Sequence, residues 1–251
     1  MATIDLNADL GETIDGVPTA DDEAMFSLIS SANIACGGHA GDGIAMRQAV
    51  DRAARFGVAI GAHPSYPDRA GFGRTVVPMS AEELRCEMAA QLAALRAAGA
   101  DISYVKPHGA LYHAAGSDQQ QAAAVVAAVA DLSEALGRPL PILAMGEALR
   151  SEAVALGLPF VREAFLDRAY LPDGALVPRT MPGALLEDPH AVATRAVQLV
   201  REQTVNAIDD TTIAVDARSL CVHGDTPAAV EMARAVRRAL SEAAFDIAAP
   251  W

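Results

Sequence analysis

Short apolar runs alternate along the chain with longer stretches in which apolar residues recur at helical spacing. The runs that we predict as strands are residues 3–6, 31–36, 58–62, 102–106, 140–144, 159–162 and 219–223. The predicted helices are residues 44–56, 80–98, 119–136, 147–156, 189–203 and 228–244. Strands that alternate with helices in this way are typical of a parallel sheet.

About seven such units favour an α/β fold of the TIM type, a distorted β/α barrel of about seven strands. A doubly wound open sheet is the alternative architecture. Ser80 and Glu83 form the pattern of a capping box at the start of one predicted helix. The segment 165–188 is rich in Pro, Gly and Arg and lacks periodicity, so we predict there either a long functional loop or an excursion from the barrel. We predict a single domain over residues 1–251.

The bulk composition excludes several classes of protein. The length of 251 residues suits one large α/β domain. The net charge of −13 disfavours binding to nucleic acid, because the protein repels a phosphate backbone. We expect no membrane segment, no signal peptide and no disulfide framework, and we expect a cytoplasmic protein.

Lys106 is the only lysine of the chain, and every other basic side chain is an arginine. This bias indicates that arginine replaces lysine wherever either residue suffices. The position that kept lysine therefore points to a need for a compact, titratable ammonium group. Chance survival of one lysine is the alternative.

Polar motifs follow the predicted strands at their carboxyl ends, where the active sites of α/β barrels and open sheets form. Four histidines lie at such positions on four different strands, and we predict one shared site from them: His39, His63, His108 and His223. Histidine suits a catalytic site because it accepts and donates protons near neutral pH. The neighbouring carboxylates are Asp9, Glu12 and Asp225.

We predict no catalytic role for the remaining histidines or for the cysteines. We predict that His113, after a turn at Tyr112, and His190 lie on the surface, and that Cys36 and Cys221 are small buried apolar side chains. The chain lacks both the Gly-x4-Gly-Lys-Ser/Thr loop and the Gly-x-Gly-x-x-Gly fingerprint, so neither familiar loop would bind ATP. It also lacks the spacing His-x3-His, and we assign no metal ligand. A barrel could nevertheless assemble a metal site from Asp9, His39 and His63.

The following motifs occur in this order along the chain, and the whole series is much more specific for a protein family than any one motif. They are Asp5-Leu6-Asn7 with Asp9-Leu10-Gly11-Glu12, Ser31-Ala32-Asn33-Ile34-Ala35-Cys36-Gly37, His39-Ala40-Gly41-Asp42, Gly61-Ala62-His63-Pro64, Gly71-Phe72-Gly73-Arg74, Val105-Lys106-Pro107-His108-Gly109-Ala110-Leu111-Tyr112, Asp167-Arg168-Ala169-Tyr170, Leu176-Val177-Pro178-Arg179 and Cys221-Val222-His223-Gly224-Asp225-Thr226-Pro227. Over essentially its whole length, the chain resembles the LamB/YcsF family, which is the family of the 5-oxoprolinase A subunits.

The resemblance implies a barrel similar to that of glycoside hydrolases and carbohydrate deacetylases. It also implies cleavage of 5-oxoproline to L-glutamate, coupled to hydrolysis of ATP to ADP and phosphate, in a complex with the B and C subunits of 5-oxoprolinase. The expected cofactor is therefore ATP with Mg²⁺ as its usual counter-ion, and we expect no tightly bound organic cofactor.

Within this expectation we assign roles to individual residues. The predicted catalytic residues are Asp9, Glu12, His39, His63, Lys106 and His108. The predicted substrate-binding residues are Asn7, Arg74, Glu163, Arg168, Arg179, His223 and Asp225. Lys106 would stabilise a developing oxyanion or a phosphate, and an arginine would pair with the substrate carboxylate through two hydrogen bonds.

Two other functions remain open from the sequence. One is a metal-dependent amide hydrolase of the deacetylase type, which the absence of paired Asp-Asp and His-x3-His motifs disfavours. The other is a non-catalytic subunit that binds substrate for its partners, which the dense group of ionisable residues disfavours.

Overall fold

The computed structural model describes residues 2–226 and 228–251, so Met1 and Pro227, the last residue of the 221–227 motif, lie outside the described residues. The strands are β1 (Ala2–Leu10), β2 (Thr13–Ile14), β3 (Val17–Pro18), β4 (Ser31–Ala35), β5 (Ala59–His63), β6 (Ile102–Val105), β7 (Ile142–Ala144), β8 (Phe160–Phe165), β9 (Thr204–Asn206), β10 (Thr212–Ala214), β11 (Ser219–Cys221) and β12 (Phe245–Ile247). The helices are α1 (Asp22–Phe26), α2 (Gly43–Phe56), α3 (Ala81–Ala97), α4 (Gly109–Ser117), α5 (Gln119–Leu136), α6 (Glu147–Ala155), α7 (Pro189–Glu202) and α8 (Ala229–Glu242).

Seven parallel strands close into a barrel in the order β1, β4, β5, β6, β7, β8 and β11. The ring closes because β11 pairs with β1, which places Asp5 opposite Ser219 and Asn7 opposite Cys221. On its other side β1 pairs with β4, and its first residues also pair with β12. The predicted seven-stranded β/α barrel is confirmed. The open doubly wound sheet is excluded, because pairing between β11 and β1 leaves no gap in the ring.

The helices begin where side chains satisfy their first backbone N–H groups. Asp42 accepts hydrogen bonds from the N–H groups of residues 44 and 45 at the start of α2, at 2.8 and 2.9 Å. Asp118 caps α5 and Asp188 caps α7 in the same manner. The predicted capping box of Ser80 and Glu83 is present at α3. These local signals explain why the helix positions could be predicted from the sequence.

Several short elements were not predicted. They are α1, α4, β12 and the two hairpins β2–β3 and β9–β10. The prediction of a turn at Tyr112 is wrong, because Tyr112 and His113 belong to α4. Gly109 begins that helix with a positive φ of 54°, and a Cβ atom there would lie 2.5 Å from the carbonyl oxygen of Gly73. The Ala- and Gly-rich sequence of α4 gives no clear helical period, whereas α6, which is equally long, was predicted.

The inside of the barrel is polar because β1 presents alternate residues to its two faces. Its apolar residues join the hydrophobic core: Ile4, Leu6, Ala8 and Leu10. Its polar residues point inward, where Asp5 accepts hydrogen bonds from Ser30, Ser31 and Ser219. At the amino-terminal end of the strands Trp251 stacks on Tyr104, with ring centroids 4.1 Å apart, and donates a hydrogen bond to Ser31.

The segment between β8 and α7 is irregular, as the sequence predicted. Isolated bridges join Arg168 to Leu185 and Tyr170 to Leu176, and a small apolar cluster of Ala169, Val177 and Ala184 holds the segment together. None of the described helices is long and apolar enough to cross a lipid bilayer.

Candidate active site

A cavity of about 420 Å³ opens at the carboxyl ends of the barrel strands. Its ionisable lining residues come from segments that follow β1, β5, β6, β8 and β11: Asp9, Glu12, His63, Arg74, Lys106, His108, His113, Arg168, Arg179, His223 and Asp225. The carboxyl ends of parallel strands meet at one end of a barrel, so residues far apart in sequence converge there. The volume suits a small molecule.

Four buried residues surround the ammonium of the buried Lys106, and we call the five together the floor cluster (Asn7, Asp9, Lys106, Glu163 and Cys221). The Lys106 Nζ atom lies 3.0 Å from Glu163 Oε2 and 3.3 Å from Asp9 Oδ1. It also lies 3.2 Å from Asn7 Oδ1 and 3.2 Å from Cys221 Sγ.

Lys106 carries a permanent charge. Burial by itself lowers the pKa of Lys106, but Asp9, Cys221 and Glu163 outweigh it, so this pKa lies well above its usual value. The expected titratable ammonium is therefore a fixed cation at neutral pH. This geometry suits a role in stabilising negative charge better than a role in proton transfer.

Asp9 connects the floor cluster to the histidines. Its Oδ1 atom accepts a hydrogen bond of 2.7 Å from Asn33, and its Oδ2 atom lies 3.3 Å from His63 Nε2. Burial raises the pKa of Asp9, but His63 and Lys106 outweigh burial and hold this pKa well below its usual value. Asp9 is therefore an ionised carboxylate beside the Lys106 ammonium.

Four further residues form what we call the histidine cluster (Glu12, His39, His63 and His108). His63 Nδ1 lies 2.7 Å from the carbonyl oxygen of Lys106, and His108 Nε2 lies 2.9 Å from the carbonyl oxygen of Phe72. A carbonyl oxygen only accepts hydrogen bonds, so both of these nitrogens are donors. The other two nitrogens, His63 Nε2 and His108 Nδ1, face each other at 2.9 Å.

His39 and Glu12 complete the histidine cluster. His39 Nε2 lies 3.1 Å from Glu12 Oε1, and the His39 ring stacks on His108 with centroids 3.7 Å apart. Burial and the charge of Asp9 raise the pKa of Glu12 to about 8. Burial, followed by neighbouring histidines, lowers the pKa values of His39 and His108 well below the usual value. These two imidazoles are therefore neutral at physiological pH.

His223 belongs to a separate pair. Its Nδ1 atom lies 2.9 Å from Asp167, whose Oδ2 atom also accepts a hydrogen bond from the His223 backbone N–H at 3.1 Å. Burial lowers the pKa of His223, but Asp167 outweighs burial and raises it. Burial raises the pKa of Asp167, but His223 outweighs burial and lowers it. The carboxylate thus orients the imidazole and stabilises its protonated form.

Three arginines surround the cavity mouth, and we call them the rim arginines (Arg74, Arg168 and Arg179). Arg74 donates to Asp225 at 2.9 Å, and Arg179 lies 3.6 Å from the same carboxylate oxygen. Arg168 donates to the carbonyl oxygen of Val177 at 2.7 Å, and its buried Nε has no hydrogen-bond partner among the described residues. Guanidinium groups in excess over carboxylates at the mouth suit an anionic ligand.

The structure brings the predicted site residues together, and all but three of them line the cavity. The three that do not line it contact residues that do, namely Asn7, His39 and Glu163. His113 and His190 are both exposed, as predicted. His113 also lines the cavity. The individual catalytic and substrate-binding roles stay predictions.

Sequence reasoning missed four contributors to the site. Cys221 was predicted as a purely apolar side chain, but its sulfur contacts the Lys106 ammonium. Asp167 orients His223, and Tyr112 lines the cavity together with Phe72, whose carbonyl oxygen accepts from His108. Each of these residues lies inside a motif that the sequence had already singled out, which was the available signal. Cys36 is buried as predicted, and burial raises the pKa of its thiol to about 12.

A closed β/α barrel with converging ionisable side chains at the carboxyl ends of its strands has the architecture of a barrel enzyme for a small substrate. The chain belongs to the LamB/YcsF family, which it matches over residues 4–250. The predicted resemblance is therefore confirmed.

Relatives of known name match over nearly their full length. A protein of Streptomyces griseus subsp. griseus that is named as the A subunit of 5-oxoprolinase is 51% identical over 250 residues, which are 98% of this chain and 99% of that protein. A protein of Chloroflexus aggregans with the same name is 46% identical over 255 residues, covering 100% of both chains. The crystal structure of a lactam utilization protein from Thermus thermophilus has a TM-score of 0.90 and 42% identity, covering 98% of this chain and 99% of that one.

Proposed function

We propose that this chain is the A subunit of an ATP-hydrolysing 5-oxoprolinase, which opens the ring of 5-oxoproline to give L-glutamate while ATP is hydrolysed to ADP and phosphate. The observation that carries the proposal is the buried Lys106 ammonium, held by Asp9 and Glu163 on the floor of a small-molecule cavity, in a chain whose relatives are named as 5-oxoprolinase A subunits. The similarity to a lactam utilization protein supports the same chemistry, because 5-oxoproline is a five-membered lactam.

The lactam needs activation because an amide carbonyl is a poor electrophile. Transfer of the terminal phosphoryl group of ATP to the lactam oxygen releases ADP and leaves a carbon that water can attack. The ring C–N bond then breaks, the nitrogen takes up a proton and a γ-carboxyl phosphate forms. A second water molecule hydrolyses this phosphate, which yields glutamate and inorganic phosphate. Each step needs a site that neutralises negative charge and moves protons.

The cavity offers groups for both tasks. Lys106 stabilises the negative charge that develops on the substrate oxygen or on its phosphate, because it is a cation already held in place. Asp9 and His39 move protons between water, the substrate and the departing ring nitrogen. The rim arginines bind the carboxylate of 5-oxoproline through paired N–H groups.

The ATP step requires the assembled enzyme. The chain carries neither of the two familiar phosphate-binding loops, so we propose that ATP, with Mg²⁺ as its counter-ion, enters the reaction in a complex of this chain with the B and C subunits. The word "subunit" in the names of the relatives supports such an assembly.

The test is release of glutamate and ADP from 5-oxoproline and ATP by this chain alone, by its cognate B and C subunits alone, and by all three together. We expect glutamate only when this chain and its partners are both present. A properly assembled complex that forms no glutamate would overturn the proposal. Glutamate formation by the isolated chain without ATP would instead support a metal-dependent amide hydrolase.

A further inference from the structure

Two histidines present unprotonated nitrogens to each other. His63 Nδ1 and His108 Nε2 each donate to a backbone carbonyl oxygen, of Lys106 and Phe72 respectively. In the neutral rings the lone pairs therefore lie on His63 Nε2 and His108 Nδ1, which are 2.9 Å apart. Two lone pairs at this distance repel each other, so either a proton or a metal ion must lie between or beside these nitrogens, and Asp9 Oδ2 lies 3.3 Å from His63 Nε2 on the same side.

We propose that Glu12, His63 and His108 bind one divalent transition-metal ion of the zinc type at this point. The proposed set replaces the combination of Asp9, His39 and His63 that the sequence left open. The inference does not rest on the proposed function, because it concerns metal binding by the chain itself.

The donor atoms are arranged around one point. Single ligand atoms of Glu12, His39, His63 and His108 all lie within 4.8 Å of one another. Glu12 Oε1 lies 3.7 Å from His108 Nδ1. A single proton is shared by two atoms at a time, whereas a metal ion takes three or four ligands, so this convergence favours the metal ion. Two imidazole nitrogens 2.9 Å apart can both reach one ion at the usual distance of about 2.0–2.1 Å.

The outer contacts of the two imidazoles are those of metal ligands. Histidines that bind metals donate their second N–H to a carbonyl or carboxylate group, which fixes the tautomer and the orientation of the ring. Both His63 and His108 do so through backbone carbonyl oxygens. His39 acts as a positioning residue, because its Nε2 holds Glu12 Oε1 at 3.1 Å.

The site is open to a ligand and is selective by its chemistry. Glu12, His63 and His108 all line the cavity, so a bound ion keeps a coordination position toward the substrate or water. Imidazole nitrogens favour zinc, cobalt or nickel, whereas Mg²⁺ and Ca²⁺ prefer oxygen ligands. We therefore assign the site to a borderline transition metal and exclude Mg²⁺ as its occupant.

Metal binding by the full chain tests the inference without any activity assay. The protein is freed of metal with a chelator, dialysed, and titrated with Zn²⁺ or Co²⁺ in a calorimeter, and the visible absorption of Co²⁺ is recorded. We expect one ion per chain with a Co²⁺ spectrum of nitrogen ligation, and no displacement by excess Mg²⁺. A wild-type chain that takes up neither ion would overturn the proposal, whatever the variants do.

Variants locate the ion. His63→Gln and His108→Gln should weaken Zn²⁺ binding by at least about 100-fold, and His39→Ala by about 10-fold because it only orients Glu12. His190→Ala, which removes an exposed histidine outside the cluster, is the matched control and should bind as the wild type does. Circular dichroism confirms that each variant is folded. Binding by both His63→Gln and His108→Gln as tight as that of His190→Ala would overturn the assignment.

Discussion

The floor cluster and the rim arginines hold their charges in different ways. The floor cluster is built on barrel strands or directly at their ends, and the Lys106 and Glu163 side chains are 2% and 0% exposed. The rim arginines lie on loops, and although Arg168 is buried, Arg74 and Arg179 are 43% and 26% exposed and share the carboxylate of Asp225. Rigid, buried charges suit the chemical step, whereas exposed charges with weak partners can turn to a ligand.

The energies of the two regions differ accordingly. Removal of one partner from a buried ion pair costs about 3–5 kcal/mol, because an uncompensated charge stays behind in a dry environment. An exposed ion pair contributes about 0.2–1 kcal/mol. Substitutions in the floor cluster should therefore affect both folding and turnover, whereas those at the rim should affect substrate binding alone.

The largest effect is expected at Lys106. Lys106→Arg should reduce turnover in the three-subunit complex by at least about 100-fold, because a planar guanidinium cannot replace a point ammonium among these partners. Lys106→Met should also lower the free energy of unfolding by about 3–5 kcal/mol in urea titrations. Retained turnover in Lys106→Arg would show that the floor cluster only needs a positive charge.

The second-largest loss of turnover is expected from substitution of His108. His108→Asn removes the nitrogen that faces His63 in the proposed metal site and should reduce kcat by about 100-fold, the scale of a disturbed metal site. His190→Asn, at an exposed histidine, is the control and should leave kcat unchanged. Equal kcat values for the two variants would place His108 outside the chemistry.

The rim arginines should separate binding from chemistry. Arg179→Met should raise KM for 5-oxoproline by about 10-fold, the scale of one lost charge-assisted hydrogen bond, with a smaller change in kcat. Arg96→Met, at an exposed position of α3, is the control. A fall in kcat at unchanged KM would contradict the division between floor cluster and rim.

The smallest effect is expected from the pair of His223 and Asp167. The pKa of His223 is raised in the folded protein, so the stability from its protonation is complete below about pH 6.5, the ordinary histidine value, and is lost as pH rises through the raised value. The pKa of Asp167 is lowered, so its contribution is lost only as pH falls through that lowered value.

Urea unfolding of the wild type and of His223→Asn between pH 6 and pH 9 measures this contribution. We expect the difference in unfolding free energy between the two proteins to shrink as pH rises. A difference that grows with pH would show that His223 is neutral in the folded protein and that Asp167 does not stabilise its charge.

Much of the fold and site was predictable from local signals. The seven strands and six long helices could be found because apolar period, caps such as Ser80 and Asp188, and terminal glycines are properties of neighbouring residues. The four strand-end histidines could be assigned to one site because parallel strands align their carboxyl ends. Helix α4 was not predicted, because its Ala- and Gly-rich sequence shows little helical period.

The sequence by itself determined the α/β class with parallel strands, the strand ends that carry the site, and the unusual status of Lys106. Only the tertiary structure decided that β11 closes on β1, that Cys221 contacts the Lys106 ammonium, that Asp167 orients His223, and that His63 and His108 face each other. The physical reason is that strand period and helix caps act over a few residues. Contacts across a barrel depend instead on strand register and on the tautomer that a distant carbonyl imposes.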